Sequence, residues 1–190
     1  MSDQQTTARF RSRRRFLRGI ALGLPGAAAL TSGGRAFAAT LERRSLSLVN
    51  THTGEDLAVD YFRDGAWCDE SLVALDHLLR DHRSGDVAQM DRRLFDLLHD
   101  VAVTAGREPR FEVISGYRSP QTNAMLNARS NGVARKSLHM QGQAIDVRLV
   151  GYRTDRLRDL ALAAQQGGVG YYRKSDFVHL DTGRVRTWSG

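Results

Sequence analysis

The basic charge of this chain is gathered at one end, and that decides how much of it is left to build a core. The first 38 residues carry seven arginines (Arg9, Arg11, Arg13, Arg14, Arg15, Arg18 and Arg35) against one acid, Asp3, so a formal charge of +7 falls to +1 for everything after Ala38. A near-neutral body lacks the broad positive face that phosphate binding needs, so no nucleic-acid partner is expected.

After Arg18 comes an apolar stretch, Gly19 to Leu30, and then Ala36-Phe37-Ala38, the small-x-small pattern that a signal peptidase cuts. Twelve residues of helix span ~18 Å against a ~30 Å hydrocarbon core, and Pro25 weakens the helix further, so no stable membrane insertion is expected. Ser12-Arg13-Arg14-Arg15-Phe16-Leu17-Arg18 has the form of a twin-arginine export signal. Residues 1–38 are therefore expected to be a cleaved signal, read by the twin-arginine translocon, which delivers a folded protein to the periplasm. Residues 39–190 then form a single domain, long enough to bury roughly 70% of its unfolded surface. Its lone cysteine, Cys68, has no internal disulfide partner and no activating neighbour, and is read as a packing residue.

The mature chain carries short elements of both kinds. Leu46 and Leu48, then Leu57, Val59 and Tyr61, alternate with polar neighbours across Asn50-Thr51-His52-Thr53-Gly54, the pattern of a β-hairpin. Asp69 and Asp91 are expected to cap two helices with leucine-rich inner faces, the second with Met90 stapled against Phe95. Phe111 to Ile114 reads as a strand, followed by a helix with Ser119 as cap and Pro120 in its first turn. Ala144 to Leu149 is a strand, Asp155 to Gln166 a helix capped by Thr154, and Val169 to Tyr172 and Phe177 to Asp181 two further strands. Without regular βαβ alternation, the expected class is α+β, a small, largely antiparallel sheet flanked by helices.

Of six histidines, His52, His77, His82 and His99 lie on a turn or helices whose other positions account for the core. His139 and His179 keep different company. Period-two alternation puts Ile145, Val147 and Leu149 on one face and Asp146 on the other, and in Phe177 to Asp181 it puts His179 and Asp181 opposite Val178 and Leu180. If these strands are neighbours, His139, Asp146 and His179 converge. Two imidazoles and a carboxylate with a fourth position open are a catalytic zinc pattern, and the same trio also suits a pair of hydrogen-bonded histidines. Gly167-Gly168-Val169-Gly170 lacks the Lys-Ser/Thr of a phosphate loop and leads into a strand. No Gly-x-Ser-x-Gly elbow supports a serine hydrolase.

Three separated motifs carry a family resemblance: Ser-Gly-Tyr-Arg-Ser at Ser115 to Ser119, Ser-x-His-x-x-Gly-x-Ala-x-Asp at Ser137 to Asp146, and Gly-Val-Gly-Tyr-Tyr followed by Phe-Val-His at Gly168 to His179. Together they resemble the zinc D-Ala-D-Ala carboxypeptidase and murein endopeptidase superfamily, most closely its murein endopeptidase K branch. The resemblance implies a Hedgehog-like α+β fold, one Zn²⁺ per chain held by His139, Asp146 and His179, and hydrolysis of peptide bonds in peptidoglycan stem peptides. It implies that Arg118 polarises the scissile carbonyl. Many superfamily members place a glutamate base three residues before the last histidine; that position is Asp176 here, one methylene shorter, and Asp181 is the alternative base. Ser137 and Tyr117 are candidate substrate-binding residues. The expected function is an endopeptidase cutting 3-3 or 4-3 crosslinks, and the alternative is a non-catalytic zinc-containing peptidoglycan-binding protein of the same fold.

Overall fold

A computed structural model describes residues 42–129 and 132–190. The expected signal, residues 1–38, lies outside the described residues. The chain runs through β1 (Arg43–Asn50), β2 (Asp56–Arg63), β3 (Ala66–Trp67), α1 (Asp69–Leu78), α2 (Arg92–Thr104), β4 (Arg110–Ser115) and α3 (Pro120–Arg129). A 3-10 turn (Leu138–Gln141), β5 (Ala144–Leu149), α4 (Thr154–Ala164), β6 (Gly168–Tyr172), β7 (Phe177–Asp181) and β8 (Arg186–Ser189) complete it.

The strands form one sheet in the order β3-β2-β1-β4-β5-β7-β6-β8. The class is α+β as expected, and the sheet is larger than expected and mixed: β1 pairs parallel with β4 and β6 with β8, while the other pairings are antiparallel. The β1–β2 hairpin closes on Asn50, whose Oδ1 accepts from the amides of His52 and Thr53 and whose Nδ2 donates to the Leu78 carbonyl.

One sheet face is apolar because alternation makes it so. Leu46 and Leu48, Phe111 and Val113, Ile145, Val147 and Leu149, and Val178 and Leu180 are all buried. Against this face α1 packs on β2, α2 on β1 and β5, and α4 on β5, β6 and β7. Leu75, Leu94, Phe95, Leu98 and Leu157 fill the space between and are fully covered. At roughly 1.5–3 kcal/mol per buried large side chain, this layer anchors the sheet and leaves its opposite face free for polar residues.

Two caps differ from expectation. Asp69 is the first residue of α1, whose cap position is Cys68 without a side-chain bond, and Thr154 likewise begins α4 after Arg153. An acid in the first turn still favours the helix through its dipole, and the Thr154 hydroxyl is spent on Asp176, at 2.6 Å. Asp91 caps α2 as expected, accepting from the Arg93 amide, and Ser119 Oγ accepts from Thr122.

Candidate metal centre

The polar face of the central strands builds the site. β5 and β7 run antiparallel with Asp146 directly opposite His179, and Asp181, two residues on, shares the His179 face. In β4 the register shifts between Val113 and Ser115, bringing Ser115 opposite Asp146; a bulge of this kind turns the following chain toward the site. His139 comes from the 3-10 turn, whose cap Ser137 accepts from the His139 amide. That turn ends on Gly142 at φ 66°, and a Cβ there would lie 2.3 Å from the Gln89 carbonyl oxygen, so both conformation and space demand glycine.

The three side chains meet closely. His139 Nε2 lies 3.2 Å from His179 Nδ1 and 3.4 Å from Asp146 Oδ1, and His179 Nδ1 lies 2.8 Å from Asp146 Oδ1. All three residues are buried. The outer ring nitrogens settle the tautomers: His139 Nδ1 faces the Gly116 carbonyl at 2.7 Å, and His179 Nε2 faces Asp181 Oδ2 at 3.0 Å. Both partners only accept, so both outer nitrogens donate; in the neutral rings His139 Nε2 and His179 Nδ1 are then lone pairs aimed at each other and at a carboxylate oxygen.

Such a cluster lacks positive charge at its middle. Burial alone would raise the Asp146 carboxyl, but His139 and His179 hold it well below the usual carboxylate range. Burial opposes charging His179, and the bonds to Asp146 and Asp181 outweigh it, pushing the ring up to about 8. A divalent cation meets the same demand. With ligand distances of ~2.0–2.2 Å, the edges of a tetrahedron are roughly 3.3–3.6 Å, near the two longer of the spacings found here, and the 2.8 Å pair needs only to open slightly. The residues fit a borderline cation with one position left for water.

The cluster opens into a cleft of about 330 Å³ walled by Arg118, Lys136, Leu138, Tyr172, Phe177 and Trp188. Arg118 is largely buried yet weakly held. Its guanidinium lies 3.4 Å from Asn123 Oδ1, 3.3 Å from Ser115 Oγ and 3.9 Å from Asp146 Oδ2, and its buried Nε has no partner. Burial lowers its pKa, and the spare donors are available to an incoming oxygen. Ser137 is also on the cleft wall.

Other expected residues lie elsewhere. Tyr117 packs at the edge of the apolar core and is not on the cleft wall. Asp176 is apart from the cluster: its carboxylate accepts from Thr154, and it lines a different depression. Its backbone takes a left-handed φ of 51°, so the turn before β7 directs the side chain away from the cleft. Asp181 is fully buried behind His179, accepting from His179, Arg186 and the amides of Gly168 and Gly183. That makes it a positioning residue, with no oxygen free to take a proton from the cleft.

Sequence reasoning missed Trp188, Tyr172 and Phe177. Trp188 lies 5.1 Å from the His179 ring and donates through Nε1 to the Tyr172 hydroxyl at 3.0 Å, while Tyr172 and Phe177 stack at 4.5 Å. The available signal was Gly170. It faces His179 across β6–β7, and a Cβ there would come within 2.6 Å of the Trp188 ring, so the glycine makes room for an aromatic wall.

Residues 38–188 match the family model described as peptidoglycan L,D-endopeptidase MepK. The peptidoglycan L,D-endopeptidase MepK of Escherichia coli (strain K12) is 42% identical over 172 residues, covering 90% of this chain and 93% of the relative, and that of Shigella flexneri gives the same figures. The probable peptidoglycan L,D-endopeptidase MepK of Haemophilus influenzae is 41% identical over 175 residues, covering 92% of each chain. No solved structure matches. A model spanning nearly all of the described residues, together with relatives alike over nine-tenths of their length, places the chain by descent: it belongs to the peptidoglycan L,D-endopeptidase MepK family.

Proposed function

We propose that this protein is a zinc-dependent endopeptidase that cuts peptide crosslinks in peptidoglycan, exported by the twin-arginine route to the periplasm and cleaved after Ala38. One observation carries the chemistry: two imidazole nitrogens and a carboxylate oxygen within 3.4 Å of one another, each ring held by an acceptor at its far nitrogen. His139, Asp146 and His179 would hold the cation, which when bound supplies Lewis acidity and an acidified water. The relatives' printed activity, on an L,D bond, favours the 3-3 link between two diamino acids over the D,D-type 4-3 link.

The chain's own groups complete the site. Arg118 presents under-used donors where charge develops on the scissile carbonyl oxygen. Apart from the clustered oxygen, Asp146 Oδ2 is the one carboxylate oxygen among the lining residues, an acceptor for a proton released in the attack that His139 and His179 make a weak one. Tyr172, Phe177 and Trp188 wall the cleft against water. The absence of a separate carboxylate from the described lining favours a second reading, a zinc-containing protein that binds peptidoglycan without cutting it.

Digestion of purified sacculi by the mature protein separates the two. New monomeric muropeptides, lost with a chelator and in His139→Ala, establish the hydrolase, and their masses identify the link. Intact sacculi retained by a protein containing one zinc establish the binder.

A further inference from the structure

Two elements that wall the cleft, β5 and the β6–β7 turn, run past its rim into a second, larger depression. In β5, Asp146 lines the cleft and Arg148, about 7 Å further along the same face, lines the depression. In the β6–β7 turn, Tyr172 and Phe177 line the cleft while their neighbours Arg173 and Asp176 line the depression. The two spaces measure about 330 Å³ and about 780 Å³ and share this hairpin as their common wall.

The cations of the depression are not equivalent. Arg148 is fixed by Glu112 at 3.1 Å and by the Ser175 carbonyl at 3.2 Å, and Arg153 is paired with Asp155. Arg173 is exposed and makes no hydrogen bond or ion pair among the described residues. The turn that presents it is itself held, through the Arg148 bonds to the Ser175 and Asp176 carbonyls and the Thr154 bond to the Asp176 carboxylate.

We propose that this depression is a second substrate subsite, which receives a carboxylate-bearing arm of the crosslinked stem peptide and anchors it on Arg173. The inference rests on the cleft being a peptidoglycan site. A crosslink joins two stems, so a bond seated at the cluster has chain continuing on both sides. A cleft of about 330 Å³ is at the small end of ligand sites and cannot hold both stems. The larger space is reached across a single hairpin, its acids Glu112, Asp155 and Asp176 are already engaged, and the unengaged group is a guanidinium, whose planar fork suits a carboxylate.

The test reads binding and cleavage separately, using a soluble crosslinked muropeptide dimer and the same dimer with its free carboxylates amidated. Wild type, Arg173→Glu and Arg173→Lys are compared as zinc-loaded mature proteins, by retention of the dimer on immobilised protein and by initial rates. Arg173→Glu is expected to weaken retention and raise KM roughly three- to tenfold with kcat within twofold. Arg173→Lys, which keeps the charge and loses the fork, is expected to fall between wild type and Arg173→Glu, and amidation should weaken wild-type binding to the level of the glutamate variant. Equal retention of the charged dimer by wild type and Arg173→Glu overturns the proposal. Retention that depends on Arg173 with the dimer left uncut upholds the subsite and refutes the hydrolytic reading instead.

Discussion

Replacing Asp181 by asparagine tests whether the tautomer of His179 is set from behind. Asp181 Oδ2 accepts from His179 Nε2 at 3.0 Å and from Arg186 at 2.6 Å, while Oδ1 accepts from the Gly168 and Gly183 amides and from Arg186. An amide group must set its two donors against one of these groups of donors. The Oδ2 side costs less, because it opposes two donors instead of three and because His179 can respond by moving its proton to Nδ1. That proton then points at Asp146 and His139 and removes the lone pair that faces them. Loss of such an outer partner weakens metal binding about 10–100-fold, or roughly 1.4–2.7 kcal/mol. Stability falls as well, by about 2–3 kcal/mol, less than the ~3–5 kcal/mol for a fully buried pair, because Arg186 is about a third exposed. The control is Arg186→Gln, which breaks the ion pair but leaves the His179–Asp181 bond. Zinc affinity by competition with a chelating dye, alongside thermal unfolding, separates the effects. Both variants should melt earlier, and only Asp181→Asn should lose zinc by tenfold or more. Equal zinc loss in both, or none in Asp181→Asn, refutes the tautomer reasoning.

Arg118→Ala should lower kcat about 10²–10³-fold while zinc content stays at one per chain, measured by rates and metal analysis, because its guanidinium comes only within 3.9 Å of Asp146 Oδ2 and its backbone bond to the His139 carbonyl survives the change. Asp176→Ala should change kcat less than twofold and cost about 1 kcal/mol in denaturant unfolding for the lost Thr154 bond; a hundredfold loss of kcat would instead make Asp176 the base. In the metal-free protein, His179 titrates at about 8 against an ordinary value of 6.5. Its protonated ring therefore stabilises the fold fully below pH 6.5, and about 2 kcal/mol of stability is lost as pH rises through 8. Urea midpoints at pH 6 and pH 9 should show that fall in chelated protein and not in zinc-loaded protein.

The meeting of Asp146 with His179 was legible because it rests on local alternation. Asp146 and His179 each lie in a short strand whose apolar residues choose the inner face, so the polar face follows within each strand without knowledge of its partner. The cap of α2 was legible for the same reason, since Asp91 and the Arg93 amide are two residues apart. What alternation could not supply was pairing across distance. The parallel pairs β1–β4 and β6–β8 join segments separated by whole helices or by the strand β7, and nothing local to Arg186–Ser189 marks it as a strand. Trp188 and Arg186 were missed with it, and so were the aromatic wall over His179 and the ion pair behind it.

Asp176 shows the converse limit, where sequence spacing pointed to a role that backbone geometry withholds. Three residues before a strand histidine, an acid in extended chain would lie on the face opposite His179, and only a turn could bring it round. The turn that is present holds Asp176 at φ 51° and ties its carboxylate to the start of α4. Its carbonyl binds Arg148, the residue two positions beyond Asp146 on the cleft face. The acid thus braces the wall between cleft and depression. For the proposed hydrolysis the proton acceptor has to be sought among the lining groups themselves, and Asp146 Oδ2 and the Ser137 and Tyr172 hydroxyls are the side-chain oxygens there. Tyr172→Phe tells them apart: it removes the hydroxyl and the acceptor of Trp188 Nε1 while leaving the stack on Phe177. An unchanged kcat with a lowered affinity assigns Tyr172 to the wall and leaves the proton to Asp146 Oδ2 or the Ser137 hydroxyl.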